Sequence, residues 1–299
     1  MADIVELSIG VAEAQKGSQT RAATRSAVVE ELRRLLPGVD DIHNTLPFGL
    51  SALDSHLPRG GLARGALHEV VPETEGTLPA ALGFVVAMLA NLFSPPPCGE
   101  GKGVGGGQGS TNVDARASSW HRPLIFILPT YGQREHGRLC RHVSAHGLNS
   151  LGLDPARITL VETAHRKDTL WAMAEALHSD VPQAVTAAID QLDLKTSQKL
   201  HLAANDSGRP LFLIRPAPTL DASAAATRWR VGVAQAARDR FGLVTRPRWH
   251  VQLERCRNGR PGEWRMEYDH VTHRFSLAAA LADHALPGSA SARPLKHAG

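Results

Sequence analysis

The sequence predicts an α/β protein in which a mostly parallel β-sheet is flanked by helices. Short apolar runs recur along the chain, separated by segments with helical periodicity. The runs are continuous rather than alternating, which is typical of strands buried on both faces of a parallel sheet. Near the C-terminus the pattern changes to strict alternation, which predicts an antiparallel hairpin attached to the layered core.

The predicted strands of the parallel sheet each contain four to six mostly apolar residues. They are residues 66–71, 124–128, 158–162, 184–189 and 211–214. Residues 78–92 and 168–179 repeat apolar positions at a spacing of three to four, so both are predicted helices. Asp168 stands where its side chain can cap the second helix.

The predicted hairpin joins residues 248–254 to residues 263–268. Apolar and polar residues alternate in both runs, and the intervening N-G-R-P-G segment favours a turn. The alternation gives the hairpin one solvated face. Trp249 and Trp264 fall on the other face and are predicted to belong to the core.

The chain is predicted to have three parts. Residues 1–43 form an N-terminal helical arm, residues 44–270 the main domain, and residues 271–299 a C-terminal helix and flexible tail. Residues 94–119 are predicted to be a disordered insertion, because they open with S-P-P-P and hold seven glycines between positions 99 and 109.

Composition places the chain among ordinary globular proteins. With 299 residues and 42% hydrophobic content it can bury one sizeable core. Cys98, Cys140 and Cys256 are odd in number and far apart, so we expect neither a disulfide framework nor a zinc ribbon, and a cytoplasmic location. No secretory signal is expected. The apolar stretch 78–93 is short for a bilayer, so it is predicted to be a buried helix and no membrane partner is expected.

Positive charge is concentrated in the C-terminal third of the chain. From residue 207 onward there are 15 Lys/Arg, 14 of them Arg, against 7 Asp/Glu, whereas the preceding residues hold 18 against 22. Guanidinium groups suit phosphate and carboxylate recognition. The asymmetry is compatible with a surface for nucleic acid or an acidic partner, and equally with a merely soluble arginine-rich face.

The segment after the first predicted strand has the frame of a phosphate-binding loop without its lysine. Pro72, Glu73, Thr74, Glu75 and Gly76 match the frame, but Thr77 stands where the lysine is required. That lysine neutralises the charge of the β- and γ-phosphates, and the two glutamates add repulsion. Competent ATP hydrolysis is therefore not expected here.

Asp190 is the second member of this candidate nucleotide site. It ends the A-V-T-A-A-I-D run, in the place of the aspartate that holds magnesium in nucleotide-hydrolysing enzymes. An acid entering a turn at the end of a strand is an equally good interpretation. The candidate loop residues are thus Glu73, Thr74, Gly76, Thr77 and Asp190.

Other motifs do not predict catalysis or metal binding. Lys102 lies in G-E-G-K-G without a preceding strand or a following Ser/Thr, so it is assigned to the linker. His68 and Glu69 lack the helical spacing of a zinc protease. The other helically spaced candidates do not share one helix face: His136, Cys140, His142 and His146.

Arginine and tryptophan recur together in the C-terminal third. Such residues can line a groove for single-stranded nucleic acid or form an interface with a protein. The candidate partner or DNA contacts are Arg228, Arg230, Arg255, Arg257 and Arg260. The last three lie in or near the hairpin turn and are expected to be exposed.

Several short sequence segments together resemble those of a known family. The G-L-x-x-L-D phrase at Gly49–Asp54, Gly60, Gly61 and Gly65 resemble the opening of RecA-type ATPase domains. G-L-D-P-A-R-I-T-L-V-E-T from residue 152 and R-W-H-V-Q-L-E-R-C-R-N-G from residue 248 are similar to the ImuA family of bacterial SOS mutagenesis. The resemblance covers roughly residues 44–270.

The resemblance implies a RecA-like fold and a non-catalytic accessory role in translesion synthesis after DNA damage. It implies as partners ImuB and an error-prone DNA polymerase, with RecA and single-stranded DNA as further candidates, and nucleoid association on damage. No cofactor is expected; ATP, if bound, would not be hydrolysed. Two alternatives stay open, an active RecA/KaiC-type ATPase and a SulA-like inhibitor of cell division.

Overall fold

The computed structural model describes residues 44–94, 122–131, 143–217, 221–238 and 240–278. The predicted N-terminal arm, the glycine-rich insertion, Lys102, and three of the four helically spaced His/Cys candidates lie outside these residues. The chain divides into two compact units, residues 1–45 and 46–299. Of the first unit, only Asn44 and Thr45 are described.

Within the described residues the chain forms thirteen β-strands. They are β1 (Thr45–Leu46), β2 (Leu62–Ala63), β3 (Leu67–Pro72), β4 (Leu124–Pro129), β5 (Ile158–Thr163), β6 (Ala184–Ala188), β7 (Leu211–Ile214), β8 (Thr227–Val233), β9 (Ala237–Arg238), β10 (Val244–Arg246), β11 (Arg248–Cys256), β12 (Gly262–Asp269) and β13 (Arg274–Leu277).

Nine strands form one mixed sheet in the order β13-β12-β11-β8-β3-β7-β6-β4-β5. The six strands from β8 to β5 run parallel. The other three extend the sheet antiparallel beyond β8. The α/β class, the five predicted strands and the predicted hairpin are confirmed, with Trp249 opposite Met266 and Val251 opposite Trp264.

Five α-helices and three 3-10 turns connect the strands of the described residues. The helices are α1 (Ser51–Asp54), α2 (Leu78–Phe93), α3 (Ala145–Ser150), α4 (Arg166–His178) and α5 (Leu194–Ser207). The 3-10 turns are Pro58–Gly60, Glu75–Thr77 and Pro155–Arg157. The predicted helices at 78–92 and 168–179 are confirmed as α2 and α4.

The second predicted helix begins earlier than expected. Its N-cap residue is His165, and Asp168 lies in the first turn. The prediction that Asp168 caps this helix is therefore wrong. Asp168 still places a negative charge where the helix dipole favours one. Helix α5 is capped by Asp193, whose Oδ1 accepts a hydrogen bond from the Thr196 N–H at 2.9 Å.

Apolar side chains pack on both faces of the sheet. On one face Phe212, Trp229 and other strand residues pack with α2. On the other, Leu67 and Leu213 pack with side chains of α4 and α5. By length and composition alone Glu75–Phe93 could cross a membrane. In the fold, eleven side chains of α2 are buried, which confirms the predicted core helix.

The G-L-x-x-L-D phrase has a structural role. The carboxylate of Asp54 accepts hydrogen bonds from the backbone N–H groups of Phe48, Gly49 and Leu50 at 2.9, 2.9 and 3.0 Å. Gly49 has a φ of +80°, a conformation that other residues rarely adopt. Leu53 is completely buried. The phrase therefore fixes the turn that leads into the domain.

The segment after residue 270 differs from the predicted helix. As far as it is described, to residue 278, it forms a turn and edge strand β13. Phe275 is buried, with its ring 5.1 Å from that of Tyr268 and 6.1 Å from that of Trp249. Exposed Arg274 alternates with buried Phe275, which is typical of a strand. Packing of Phe275 against the other aromatic rings stabilises that conformation.

Candidate functional site

The loop between β3 and α2 is closed by its own hydrogen bonds. The N–H of Thr74 donates to Oγ1 of Thr77 at 3.0 Å. The hydroxyl and the N–H of Thr77 both donate to the carbonyl of Thr74, at 2.9 and 3.0 Å. Glu75–Thr77 therefore forms a single 3-10 turn that runs directly into α2.

Glu73 turns away from this loop toward β8 and β11. Its N–H donates to the carbonyl of Val231 at 2.8 Å. Its carboxylate lies against Gly232, where a Cβ would overlap Oε2, and lies 3.8 Å from Nδ1 of His250. Three of the five N–H groups from Glu73 to Thr77 are thus bound within the protein. A phosphate-binding loop instead directs such groups at its ligand.

A cavity of about 500 Å³ lies beside Glu73. Its ionisable lining residues are Glu73, Arg248, His250, Glu263 and Arg265. Arg248 is paired with Glu267, and Nε2 of His250 lies 2.7 Å from Glu263. Because the lining includes two carboxylates as well as two guanidinium groups, the cavity does not provide the concentration of positive charge that a triphosphate requires.

Asp190 lies at the same carboxyl edge of the parallel strands but is separated from the loop. It follows β6, and β7 lies between β6 and β3. Its Oδ1 accepts a hydrogen bond from the Gln191 N–H at 2.8 Å. Its electrostatic neighbours include Tyr131, whose pKa is raised mainly by burial and further by the Asp190 charge, while Arg166 opposes the rise.

A chain of hydroxyl groups at this edge was not predicted from the sequence. Oγ1 of Thr163 and Oγ1 of Thr169 are 2.7 Å apart, and Thr169 lies 3.2 Å from the hydroxyl of Tyr131. The chain joins the ends of β4 and β5 to the first turn of α4. No periodic or motif signal marks these residues, because their proximity depends on the pairing of β4 with β5.

Arg228 and Arg230 are engaged with carboxylates inside the domain. Nε of Arg228 donates to Oε2 of Glu69 at 2.8 Å, and Arg230 pairs with Glu254. Glu69 also contacts Arg215 at 3.4 Å, and the side chains of both are fully buried. Arg215 belongs to this network but was not singled out in the sequence.

The other three candidate arginines lie at the hairpin turn and are exposed, as predicted. Each donates to a main-chain carbonyl: Arg255 to Ser223 at 2.6 Å, Arg257 to Ala224 at 3.1 Å and Arg260 to Ser55 at 3.2 Å. These bonds anchor the side chains and leave guanidinium surface accessible.

The two groups of candidate residues lie at opposite edges of the sheet. Strand β11 runs antiparallel to β8, so its end at Cys256 lies opposite Thr227, the first residue of β8. The arginine-rich turn therefore lies at the amino-terminal ends of the parallel strands. The loop from Glu73 to Thr77 lies at their carboxyl-terminal ends. The structure does not assemble one site from the two groups.

The tryptophan residues of the cluster belong to the core, as predicted for two of them. Trp229 is completely buried and Trp249 is buried, whereas Trp264 is partly buried and packs against the same core. Nε1 of Trp249 donates to the carbonyl of Ala80 in α2 at 3.0 Å. These rings support the sheet and are not available as a stacking surface for bases.

His68 is a structural residue. Its Nδ1 and Nε2 lie 2.8 Å from Oγ1 of Thr227 and from the carbonyl of Ala63, which suits a neutral ring. Complete burial lowers the pKa of His68 to about 4. Across the described ranges no group of three His, Cys, Asp or Glu side chains suits a metal ion. Burial raises the pKa of the Cys256 thiol, which opposes reactivity.

Comparison with known proteins identifies relatives over most of the chain. No family model matches the sequence. The protein named ImuA from two strains of Caulobacter vibrioides is 29% identical over 269 residues, which covers 83% of this chain and 94% of the relative. The match spans nearly the whole relative. The chain is therefore similar to ImuA over most of its length.

Proposed function

We propose that the chain is a non-catalytic, RecA-like accessory factor of a DNA-damage-induced mutasome. In this role it docks ImuB and an error-prone DNA polymerase for translesion synthesis. Similarity to ImuA over most of the chain supports the general role in an ImuA/ImuB mutagenesis system. The parallel strands and the loop that follows β3 support a RecA-like origin. We place its action in the cytoplasm, at the nucleoid after damage.

The closed loop is the observation that carries the non-catalytic assignment. It lacks the lysine of a phosphate-binding loop, and three of its N–H groups are bound by Thr74, Thr77 and Val231. The adjacent cavity has mixed charge. We therefore propose that the chain uses no cofactor, and that ATP, if it binds, is not hydrolysed.

We propose that the exposed hairpin turn is the docking surface. Arg255, Arg257 and Arg260 are held in place by carbonyl groups but keep exposed surface. Anchored arginines lose little conformational entropy on binding, which suits a protein interface. Because Arg228 and Arg230 are paired with Glu69 and Glu254, we assign them a supporting role. RecA and single-stranded DNA are further candidates for this surface.

The decisive experiment is a tagged pull-down from DNA-damaged cells. We expect the wild-type chain to recover ImuB, and a variant with Arg255, Arg257 and Arg260 changed to alanine to recover several-fold less. Arg240→Ala is the matched control, since Arg240 is also exposed. Recovery of a tubulin-like division protein instead of ImuB would support the SulA-like alternative. Full recovery by the triple variant would exclude the hairpin turn as the docking surface.

Binding of single-stranded DNA is tested separately with purified protein. A direct contact with phosphates predicts affinity that falls steeply as salt is raised, with a shallower dependence in the triple variant. Weak binding that is insensitive to salt would assign the turn to a protein partner.

A further inference from the structure

An apolar groove runs between α4 and α5 and is separate from both groups of candidate residues. Its volume is about 460 Å³. Trp171 is 67% exposed and Leu202 is 59% exposed at its surface. The apolar lining comprises Leu170, Trp171, Ala174, Leu200, Leu202 and Ala203.

The exposed tryptophan indicates a binding surface. A tryptophan side chain buries about 150–250 Å² when it is covered, so leaving Trp171 in water forfeits a large apolar contribution. Tryptophan is also enriched among the residues that dominate interface energies. The base of the groove is continuous with the core through Leu170, Leu200 and Ala203, so the groove is a firm surface.

The charges along α5 are arranged against the stability of the isolated helix. Lys195 and Lys199 lie in its first two turns, and Asp206 lies in its last turn. Cations near the N-terminus and anions near the C-terminus oppose the helix dipole. In the part of the chain that the structure describes, neither Lys199 nor Asp206 forms an ion pair. Both side chains are exposed, so they are accessible to charges on a second molecule.

We infer that the groove docks a second copy of this chain in a two-fold symmetric arrangement. Lys199 and Asp206 both line the groove and are separated by seven residues, or about 10.5 Å along the helix. A two-fold axis near Ala203 places Lys199 of each copy opposite Asp206 of the other. The Lys199–Asp206 ion pair then forms twice, once on each side of the axis, as an isologous interface requires.

The small residues in the groove fit the same arrangement. Ala174 and Ala203 leave room for close approach of the two copies, and Leu202 lies next to the axis. Trp171 of each copy enters the groove of the other. A surface of this extent lies at the small end of protein interfaces, so the dimer is expected to dissociate with a Kd on the order of 1–100 μM.

Analytical ultracentrifugation of the full chain tests the inference. The wild type is expected to sediment as a reversible monomer–dimer mixture, and Trp171→Glu is expected to raise Kd at least ~10-fold. Val271→Glu is the matched control, because Val271 is 82% exposed in a turn outside the groove. A wild type that stays monomeric at ~200 μM, well above the expected Kd, overturns the inference.

A charge exchange tests the symmetry. Lys199→Glu alone and Asp206→Lys alone are each expected to weaken dimerisation at least ~5-fold, since like charges then face one another. An equimolar mixture of the two variants restores dimers, because both contacts of the heterodimer pair opposite charges. A mixture no better than the single variants overturns the two-fold geometry. If the wild type is itself monomeric and Trp171→Glu abolishes binding of a different protein, the groove is assigned to that protein and the inference is overturned.

Discussion

Nε of Arg228 donates a hydrogen bond to Oε2 of Glu69 at 2.8 Å, and the side chain of Glu69 is fully buried. Arg215, also fully buried, lies 3.4 Å from the other oxygen of Glu69 and 3.1 Å from Asp221. One buried anion is thus shared by two cations from adjacent parts of the sheet. Removing the anion would leave Arg215 buried beside another cation.

Glu69→Gln is expected to lower the free energy of unfolding by about 3–5 kcal/mol, because the buried Arg215 loses its buried counter-charge and keeps only the exposed Asp221. Urea denaturation of the purified chain measures this loss. Glu254→Gln is the control, since Glu254 and Arg230 are both partly exposed and their pair contributes about 1 kcal/mol or less. Equal losses in the two variants would contradict the assigned role of Glu69.

His68 predicts a specific loss of stability in acid. Its pKa is about 4 in the folded chain, against 6.5 for an unperturbed histidine. Between these values the unfolded chain binds a proton that the folded chain does not, so stability falls as pH is lowered from 6.5 to 4, by about 3 kcal/mol.

His68→Gln is expected to remove this contribution from the pH dependence, whatever its effect on stability at pH 7. The measurement is the free energy of unfolding at pH 7 and at pH 4 for both proteins. His146→Gln serves as the control, because His146 is exposed. If the wild type and His68→Gln lose the same free energy on acidification, the buried neutral ring is not the cause.

Asp54 is expected to stabilise the entrance to the domain. Asp54→Ala leaves the N–H groups of Phe48, Gly49 and Leu50 without their carboxylate acceptor and should cost about 2 kcal/mol. Asp54→Asn keeps one acceptor oxygen and should cost less. Thermal unfolding ranks the three proteins. A loss in Asp54→Ala no greater than in Asp54→Asn would show that the three hydrogen bonds contribute little.

The closed loop predicts that the purified chain does not turn over ATP. Phosphate release is expected to equal the background, and Asp190→Asn is expected to leave it unchanged, since Thr77 replaces the required lysine. An active RecA-type ATPase in the same assay is the positive control. Turnover that disappears in Asp190→Asn would instead support the ATPase alternative.

Elements with a strong local pattern could be predicted from the sequence. The five apolar runs became β3 to β7, and alternation about Trp249 and Trp264 predicted the hairpin, because strand periodicity is set by neighbouring residues. Helix α5 and edge strand β13 were not predicted. Helix α5 is rich in polar residues, and β13 is only four residues long. Tertiary packing decided both.

The candidate site could be predicted only in part. The missing lysine at Thr77 is visible in the sequence because it depends on position within one loop. The environment of each arginine is not visible in the sequence. Arg228 and its partner Glu69 are 159 residues apart, and they meet because β3 pairs with β8. The same pairing, with β11 antiparallel to β8, places the arginine-rich turn and the loop at opposite edges.

By itself, the sequence determined the α/β class, the strands with continuous apolar character, and the loss of the phosphate-clamping cation. These properties reside in residue type and short-range spacing. The tertiary structure alone decided which charges are paired, which face of α5 carries an exposed groove, and how far the candidate residues lie from one another. Those properties depend on strand order, which joins residues that are distant along the chain.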